Sequence, residues 1–359
     1  MDIPFSGSGI VSHFWTFCPC LIVALIYLFG ATAGKRKSIA GANQNKSEGM
    51  SKGNEEVVDK SSYCASCGIA QDDEVKLKDC AGCDIVRYCS DACQRDHKSE
   101  HEEECKKRVA ELRDELLFRQ PESTHLGDCP LCSLPLSLDM SKSVMYECCS
   151  KFICKGCSHA NWIREAEMRL QHTCPFCREP LTNVEEEAMK RLMKRVEAND
   201  PDAMYQRGGE QYNEGEYQSA FEYFTKAAAL GDADAHYQLS NMYYDGKCVK
   251  KDEGKHIHHA EEAAIGGHPQ ARYNLGYEEW KQGNHERAVK HLIISAKLGE
   301  DKAIKELMNA FKEGYVEKEV LASTLRAHQA AVDATKSPQR EEGEKFRLPY
   351  QSKVESQEG

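Results

Sequence analysis

The chain has 359 residues, which is long enough for two or three domains, and 29% of them are charged, with a formal net charge of −11. This acidic balance leaves no broad basic surface, so we expect no nucleic acid as the main partner. Most of the 18 cysteines stand in close pairs within a lysine- and glutamate-rich chain. Such pairs indicate metal binding in a reducing compartment, the cytosol or nucleus, rather than secreted disulfides.

The N-terminal segment carries an apolar run. Residues 14–34 have no charge and are about as long as a helix that spans a bilayer. Lys35, Arg36 and Lys37 follow, and this charge bias predicts that the C-terminal side faces the cytosol. We therefore expect a membrane anchor over residues 1–34. A cleaved signal peptide, a mistaken start codon and a soluble cytosolic protein remain as alternatives. Residues 35–62 are polar and predict a disordered linker.

A first cysteine block occupies residues 63–106. It offers seven cysteines and one histidine, enough for two tetrahedral zinc sites. The block reads Cys64-x2-Cys67, Cys80-x2-Cys83, Cys89-x3-Cys93 and His101-x3-Cys105. The last two side chains lie one helical turn apart and hence on one face of a helix.

The segment CAGCDIVRYCSDACQ and the H-x3-C motif after it resemble the MYND zinc finger, and the resemblance covers Cys64–Cys105. The resemblance implies two interleaved sites. Zinc 1 would be held by Cys64, Cys67, Cys89 and Cys93, and zinc 2 by Cys80, Cys83, His101 and Cys105. His97 is the rival histidine. The family often has Trp-Pro where this chain has Lys98 and Ser99, which weakens the inference of a peptide groove.

Residues 107–127 predict a helical linker, and a second cysteine block follows over residues 128–182. It resembles a RING domain whose ligands are all cysteines. In the RING cross-brace the first and third pairs share one zinc, and the second and fourth pairs share the other. The resemblance implies Cys129, Cys132, Cys154 and Cys157 for zinc 3, and Cys148, Cys149, Cys174 and Cys177 for zinc 4, so that four zinc ions are expected.

The second pair of this block departs from the common RING pattern. Many RING domains have Cys-x-His there, and here Lys151 takes the place of the histidine. Adjacent side chains in an extended chain point in opposite directions, so Cys148 and Cys149 can share a metal only across a kink. His172 or His159 could instead be the partner of Cys149, and a degenerate RING with one zinc remains open.

The RING resemblance also implies a docking surface for a ubiquitin-conjugating enzyme. RING ligases perform no covalent chemistry themselves but hold the ubiquitin thioester in a reactive orientation. The corresponding residues here are Leu131, Trp162, Pro175 and Arg178. An arginine suits the last position because its planar fork can donate to two carbonyl groups at once.

From residue 183 to residue 335 the sequence predicts paired helices. One amphipathic helix spans 183–199, and an alanine then recurs at Ala203, Ala235, Ala271 and Ala303, with spacings of 32, 36 and 32 residues. Such a period, with a glycine turn inside each unit, predicts an α-solenoid. The words AHYQLSNMYYDG and ARYNLGYEEWKQGN resemble SEL-type (tetratricopeptide-like) repeats over residues 201–315. The resemblance implies a concave surface that binds a partner. Residues 336–359 predict a disordered tail.

The chain is thus predicted to be multidomain, with two small, irregular α+β cross-brace zinc modules followed by an all-α solenoid. The first functional hypothesis is a RING-type ubiquitin ligase whose MYND module and solenoid recruit protein substrates. The second is a non-catalytic zinc-binding adaptor. A chromatin or transcription factor is a third, which the acidic charge and the apolar N-terminus disfavour.

Overall fold

A computed structural model describes residues 62–345. The chain divides between Arg119 and Gln120 into two compact units, and each is described by itself. Within residues 62–345, no helix is both long enough and apolar enough to cross a membrane. The predicted membrane anchor lies outside the described residues, as do nearly all of the predicted linker and residues 346–359.

The first unit combines a small sheet with two helices. Strands β1 (Lys78–Asp79) and β2 (Arg87–Tyr88) pair antiparallel, and helices α1 (Asp91–Asp96) and α2 (Lys98–Leu117) follow. Ser90 begins α1, because its hydroxyl accepts a hydrogen bond from the Cys93 N–H at 3.2 Å. The buried apolar cluster contains only Cys64, Leu77 and Tyr88. A core of this size needs a metal to stabilise it.

The second unit begins with a module over residues 128–182, called the second module below. Strands β3 (Ser143–Tyr146) and β4 (Lys151–Cys154) form an antiparallel hairpin, and helix α3 (Lys155–Glu167) follows directly. Both strands contribute buried apolar side chains, among them Val144, Phe152 and Ile153, which pack in one cluster with Leu136. The hairpin and α3 thereby form the frame onto which the cysteine loops attach.

The solenoid follows in the same unit. Helix α4 (Glu185–Glu197) leads into four helix pairs. In the first three pairs the two helices pack on each other, and the second helix packs on the first helix of the next pair. The first helices of the pairs are α5 (Pro201–Asn213), α7 (Ala233–Asp245), α9 (Pro269–Lys281) and α11 (Asp301–Lys312). The second helices are α6 (Tyr217–Ala229), α8 (Glu253–Ile265), α10 (His285–Lys297) and α12 (Lys318–Ala334).

The alanines of the predicted period lie in the buried interior of this packing. The four recurring alanines are fully buried, and so are the leucines four residues after the second, third and fourth of them. The turns inside the pairs carry glycines in the left-handed region of φ: Gly215, Gly246, Gly283 and Gly314. Only glycine adopts this region without strain. The predicted fold class, cysteine modules followed by a helical solenoid, is confirmed.

One boundary of the prediction is wrong. Residues 336–359 were expected to be disordered, but Pro338–Lys345 form a further helix, α13. At the start of α13 the Ser337 hydroxyl accepts a hydrogen bond from the Arg340 backbone N–H at 3.2 Å. The Arg340 residue is only 5% exposed. An isolated helix of this length is unstable. Its stability comes from contacts with the second module, which composition could not reveal.

Replacing Gly208 with alanine should destabilise the solenoid. A Cβ at this position would lie 2.7 Å from the ring of Phe224 and 3.2 Å from Tyr223 Cβ, and such overpacking costs about 1–3 kcal/mol. Gly254→Ala is the matched control, because its Cβ would have Asp252 Oδ1 at 3.5 Å as its nearest neighbour. Thermal unfolding should show a lower melting temperature for Gly208→Ala only. Equal melting temperatures would contradict the close packing of α5 on α6.

Candidate metal centres

Three Cys-x2-Cys loops fold in the same way, and we call them knuckles 1, 2 and 3: residues 64–67, 129–132 and 174–177. The residue after each second cysteine has a positive φ: 74° at Gly68, 53° at Ser133 and 66° at Arg178. Its N–H donates to the carbonyl oxygen of the first cysteine at 2.8–2.9 Å. The N–H of that cysteine donates to the carbonyl oxygen five residues on, at the same distances. Two backbone hydrogen bonds thus close each loop tightly, and the loop directs both of its sulfurs to one point.

In the first unit the ligand atoms gather into two groups, each within 4.8 Å. Cluster 1 consists of Cys64, Cys67, Cys89 and Cys93, and cluster 2 of Cys80, Cys83, His101 and Cys105. In cluster 1 the Sγ atom of Cys89 lies 3.5 Å from the Sγ of Cys67 and 3.6 Å from the Sγ of Cys93. In cluster 2, Cys83 Sγ lies 3.2 Å from His101 Nε2. Sulfurs around a tetrahedral zinc lie about 3.8 Å apart, so the geometry fits that metal.

The choice between the two histidines is clear in the structure. His101 is buried and directs Nε2 at Cys83, one turn of α2 before Cys105. His97 stands outside the cluster, and its Nδ1 lies 3.1 Å from the Tyr88 hydroxyl. His97 is the residue between the end of α1 and the start of α2. The helical spacing of His101 and Cys105 therefore brings the pair to one metal position.

The backbone around Cys64 favours the form of sulfur that a metal binds. Burial opposes ionisation of this thiol, but the N–H groups of Cys67, Cys89 and Ser66 outweigh it and lower its pKa to about 6. Zinc binds the thiolate rather than the thiol. The loop that brings the ligands together therefore also prepares Cys64 for coordination.

In the second module the ligand atoms again form two groups within 4.8 Å. Cluster 3 consists of Cys129, Cys132, Cys154 and Cys157, and cluster 4 of Cys148, Cys149, Cys174 and Cys177. The Sγ distances are 3.8 Å for Cys132–Cys154 and 3.7 Å for Cys149–Cys174. Pairs one and three thus meet, and pairs two and four meet. This interleaving is a cross-brace.

The kink that Cys148 and Cys149 require comes from the β3–β4 hairpin. Residues 147–150 form its turn, the Cys149 N–H donates to the Tyr146 carbonyl at 3.2 Å, and Ser150 has a φ of 51°. Cys148 Sγ then lies 3.3 Å from Cys177 Sγ. The turn lets two adjacent side chains reach one point, which an extended strand would not allow.

The other candidate ligands of zinc 4 have different contacts. His172 Nδ1 lies 3.2 Å from a Glu165 carboxylate oxygen, and the ring stacks on Trp162. Lys151 holds its amino group 5.7 Å from the centre of the Phe176 ring. His159 lies in α3 and is not among the grouped ligand atoms. Four cysteines therefore complete cluster 4 without a histidine.

The predicted docking residues lie at three places on the second module. Leu131, in knuckle 2, is 42% exposed, Trp162 on α3 is half-buried, and Arg178 follows knuckle 3 and is exposed. Pro175 is buried, contrary to the expected surface position. Its neighbour Phe176, which is 46% exposed, presents the apolar side chain of this knuckle. Sequence reasoning missed Phe176, because the local twist of the knuckle decides which of the two residues faces outward.

A buried carboxylate joins α3 to knuckle 3. Glu165 accepts from the Thr173 hydroxyl at 2.7 Å and from the Thr173 N–H at 3.3 Å. Burial raises the pKa of Glu165, but these bonds and the one with His172 outweigh it and lower that pKa. Asn161, one helical turn away, lies with its Oδ1 3.3 Å from Arg178 Nη1. The helix thus contacts Arg178 through Asn161, and its Trp162 stacks on His172.

A fifth group, His125, Asp234 and His268, also brings its ligand atoms within 4.8 Å. His268 begins α9, and its Nδ1 accepts from the Ala271 N–H at 3.1 Å. In neutral His268 the proton therefore sits on Nε2, 3.4 Å from Asp234 Oδ1. His125 Nε2 lies 3.3 Å from the same oxygen. The arrangement is a hydrogen-bonded ion cluster rather than an open metal site.

Comparison with known proteins identifies two parts of the chain. Residues 64–105 match the model of the MYND finger, and residues 201–232, 233–268 and 269–300 match that of the Sel1 repeat. The chain carries a MYND finger and three Sel1 repeats. Modules of both kinds mediate protein–protein interaction, so a protein-interaction or adaptor role follows. The MYND finger and the other cysteine clusters are consistent with zinc binding at four sites.

Two solved structures are similar to part of the chain. A Sel1 repeat protein from Oxalobacter formigenes is 27% identical over 34% of this chain and 97% of its own, with a TM-score of 0.31. The protective antigen c5321 of uropathogenic Escherichia coli, which displays an SLR fold, is 23% identical over 41% of this chain and 34% of its own, with a TM-score of 0.36. No curated protein matches the chain.

Zinc content tests cluster 4. Replacing Cys148 with serine should lower the zinc retained by the full chain by about one ion, because tight structural sites hold four protein ligands. His172→Gln should retain all the zinc, and Cys248→Ser, which changes an exposed free cysteine, is the matched control. Elemental analysis after gel filtration measures the ratio. A loss of zinc in His172→Gln, with none in Cys148→Ser, would contradict this ligand set.

The ion cluster predicts a pH-dependent effect of His125→Gln. Burial lowers the pKa of His125, but Asp234 outweighs it and the net pKa is raised. A raised histidine pKa stabilises the fold fully below about pH 6.5, and that stabilisation is lost as the pH rises through the folded value. The His125 imidazole also interacts with Asp232, which raises its pKa further, and with the His268 ring. The mutant should therefore melt lower than wild type at pH 6, with a smaller difference at pH 8.5.

His258→Gln is the control for this experiment, because His258 is exposed on α8. Its melting temperature should follow that of the wild type at both pH values. A His125→Gln deficit that stays constant or grows with pH would show that the charge on His125 does not stabilise the fold.

Proposed function

We propose that the chain is a RING-type ubiquitin-protein ligase. Its second module would dock a ubiquitin-conjugating enzyme, while the MYND finger and the Sel1 repeats recruit the protein substrate. The observation that carries the proposal is the exposure of apolar side chains on both knuckles and on α3, with exposed Arg178 directly after knuckle 3. Leu131 and Phe176 expose much of their side chains in knuckles 2 and 3, and Ile163 on α3 is 37% exposed.

The two knuckles attach to one helix, which supports a composite docking surface. Knuckle 2 joins the start of α3 through Cys132 and Cys154 in cluster 3. Knuckle 3 joins the middle of α3, where the Asn161 amide donates to the Thr173 carbonyl at 3.3 Å. Zinc in clusters 3 and 4 would fix these attachments. Side chains held in this way lose little conformational entropy on binding.

The reaction would need no nucleophile from this chain. A substrate lysine amine attacks the thioester carbonyl that joins ubiquitin to the conjugating enzyme. An isopeptide bond forms, and the cysteine thiol of that enzyme is released. The second module accelerates the step by holding the thioester in one orientation. Arg178 would contribute through its guanidinium, which can donate to enzyme and ubiquitin together.

Substrate recruitment would fall to the two interaction modules. In the MYND finger an open groove of about 750 Å³ runs along α1 and α2. Its lining includes Gln94, Arg95, Lys98 and Val109, a mixture suited to a protein segment with apolar and acidic groups. In the solenoid, Met308 and Tyr315 are about half exposed and offer further apolar contact area.

A non-catalytic adaptor remains the second candidate. The observation that favours it is the presence of both a MYND finger and Sel1 repeats, which suffice for protein interaction by themselves. In that case the second module would serve as a rigid zinc-bound connector. The two candidates differ in whether the surface around Arg178 engages a conjugating enzyme.

Replacing Arg178 with glycine tests the ligase without damaging the fold. Arg178 has a φ of 66°, a region where non-glycine residues are strained by about 1–2 kcal/mol. The variant should therefore retain its zinc and melt no lower than wild type. Its rate of ubiquitin transfer, followed as autoubiquitination with a panel of conjugating enzymes, should fall about 10–100-fold, the scale expected when a reactive orientation is lost.

Arg169→Gly is a matched control, because exposed Arg169 has a φ of 54° just after α3 and is not among the docking residues. It should gain similar stability and keep its activity. If zinc-loaded wild type shows no transfer with any conjugating enzyme, the adaptor replaces the ligase. If Arg178→Gly is fully active, Arg178 has no orienting role.

A further inference from the structure

The C-terminal helix α13 lies directly against α3 of the second module. Gly343 on α13 and Gly156 on α3 face each other. A Cβ built on Gly343 would come within 2.6 Å of the Gly156 backbone, and one on Gly156 within 2.6 Å of the Gln339 carbonyl oxygen. The two backbones therefore touch without intervening side chains. Lys142 and Glu344 add an ion pair of 3.3 Å at the edge of this contact.

The contact places the guanidinium of Arg340 inside the second module. Nη1 donates to the carbonyl oxygens of Pro135 at 2.6 Å and Thr335 at 2.8 Å. Nη2 donates to the carbonyl oxygen of Leu134 at 2.9 Å and lies 3.3 Å from Cys132 Sγ. One buried side chain thus joins the end of α12, the loop after knuckle 2, and a sulfur of cluster 3.

A second side chain of α13 reaches the same cluster. The Gln339 amide lies 3.3 Å from the Gly156 carbonyl oxygen and 3.7 Å from Cys157 Sγ. Two of the four sulfurs of cluster 3 therefore face N–H donors from a helix about 180 to 210 residues further along the chain. These donors lie in a segment that contains none of the four ligands.

A zinc ion with four thiolates carries a net charge of −2. N–H groups that donate to the sulfurs, and a nearby cation, stabilise that charge where water is excluded. We infer that Arg340, assisted by Gln339, is an outer-sphere partner of the zinc in cluster 3, so that α13 completes this metal centre. A lysine could replace this arginine only in part, because it has the charge but no planar fork that donates to carbonyl oxygens and a sulfur at once.

Zinc retention in cluster 3 becomes coupled to the far end of the solenoid, because Arg340 also holds the Thr335 carbonyl at the end of α12. Undocking of α13 should loosen this zinc alone among the four. The inference depends on zinc in cluster 3 but not on ligase activity, so a failed ubiquitin assay leaves it untouched.

The test uses the full chain, reconstituted with ¹¹³Cd as a spectroscopic substitute for zinc. In Arg340→Met, which keeps the length of the side chain without its donors, the ¹¹³Cd resonance of cluster 3 should shift. The other three resonances should stay in place. Correlation to cysteine β-protons assigns each resonance. Arg326→Met on α12 is the control, because Arg326 is exposed, and it should shift none.

Zinc release into a chromophoric chelator provides the second measurement. One of the four ions should leave Arg340→Met about 10–100-fold faster than wild type, the usual effect of losing an outer-sphere partner. Gly343→Val, which forces α13 away from α3 but keeps Arg340, should accelerate the same ion. The zinc release rate of Arg340→Lys should lie between those of Arg340→Met and wild type, because lysine keeps the positive charge but lacks the planar fork of donors.

The results separate electrostatics from packing. An unchanged cluster 3 resonance and an unchanged release rate in Arg340→Met would overturn the inference. It would also be overturned if Gly343→Val alone accelerated release, since the helix would then act through packing and not through the guanidinium. Equal acceleration of all four ions would mean general unfolding, which likewise contradicts a specific role.

Discussion

The described structure depends first on the interleaving of cysteine pairs. In both modules, two loops that are distant in sequence meet at each ligand cluster, so every cluster ties two segments together. The apolar core of the first unit is too small to do this by itself. In knuckles 1, 2 and 3 a residue with positive φ after the second cysteine closes the loop and brings its two sulfurs to one point. The same constraint explains why Arg178 has an unusual backbone conformation.

The second module is held by the solenoid from both directions along the chain. Just before it, the His125 N–H donates to the Gly267 carbonyl oxygen at 3.1 Å, and the His125 ring pairs with Asp234 in the second repeat. After the last repeat, α13 returns and buries Arg340 beside cluster 3. The second module and the repeats therefore belong to one compact unit.

These features bear on function through rigidity. A surface that orients a partner needs side chains whose positions are fixed before binding. Glu165 fixes knuckle 3 to α3, and Asn161 contacts Arg178. The MYND finger and the Sel1 repeats supply protein-interaction surfaces. An adaptor and a ligase would share this architecture and would differ in what the surface around Arg178 contacts.

The sequence alone predicted the cysteine pairs and the helical repeats, but it left the ligands of cluster 4 open. Cysteine spacing is local and chemically specific, and the alanine period follows from the regular geometry of paired helices. Tertiary structure decided the rest. The hairpin turn brought Cys148 and Cys149 to one point, and knuckle 3 turned Phe176 outward and Pro175 inward. The packing of Gly343 on Gly156 made a helix of a segment that its composition marked as disordered. The helix at residues 338–345 rests on contacts between residues distant in sequence, which local patterns do not encode. The other two outcomes rest on the backbone geometry of a turn and a knuckle, which the residue types alone do not specify.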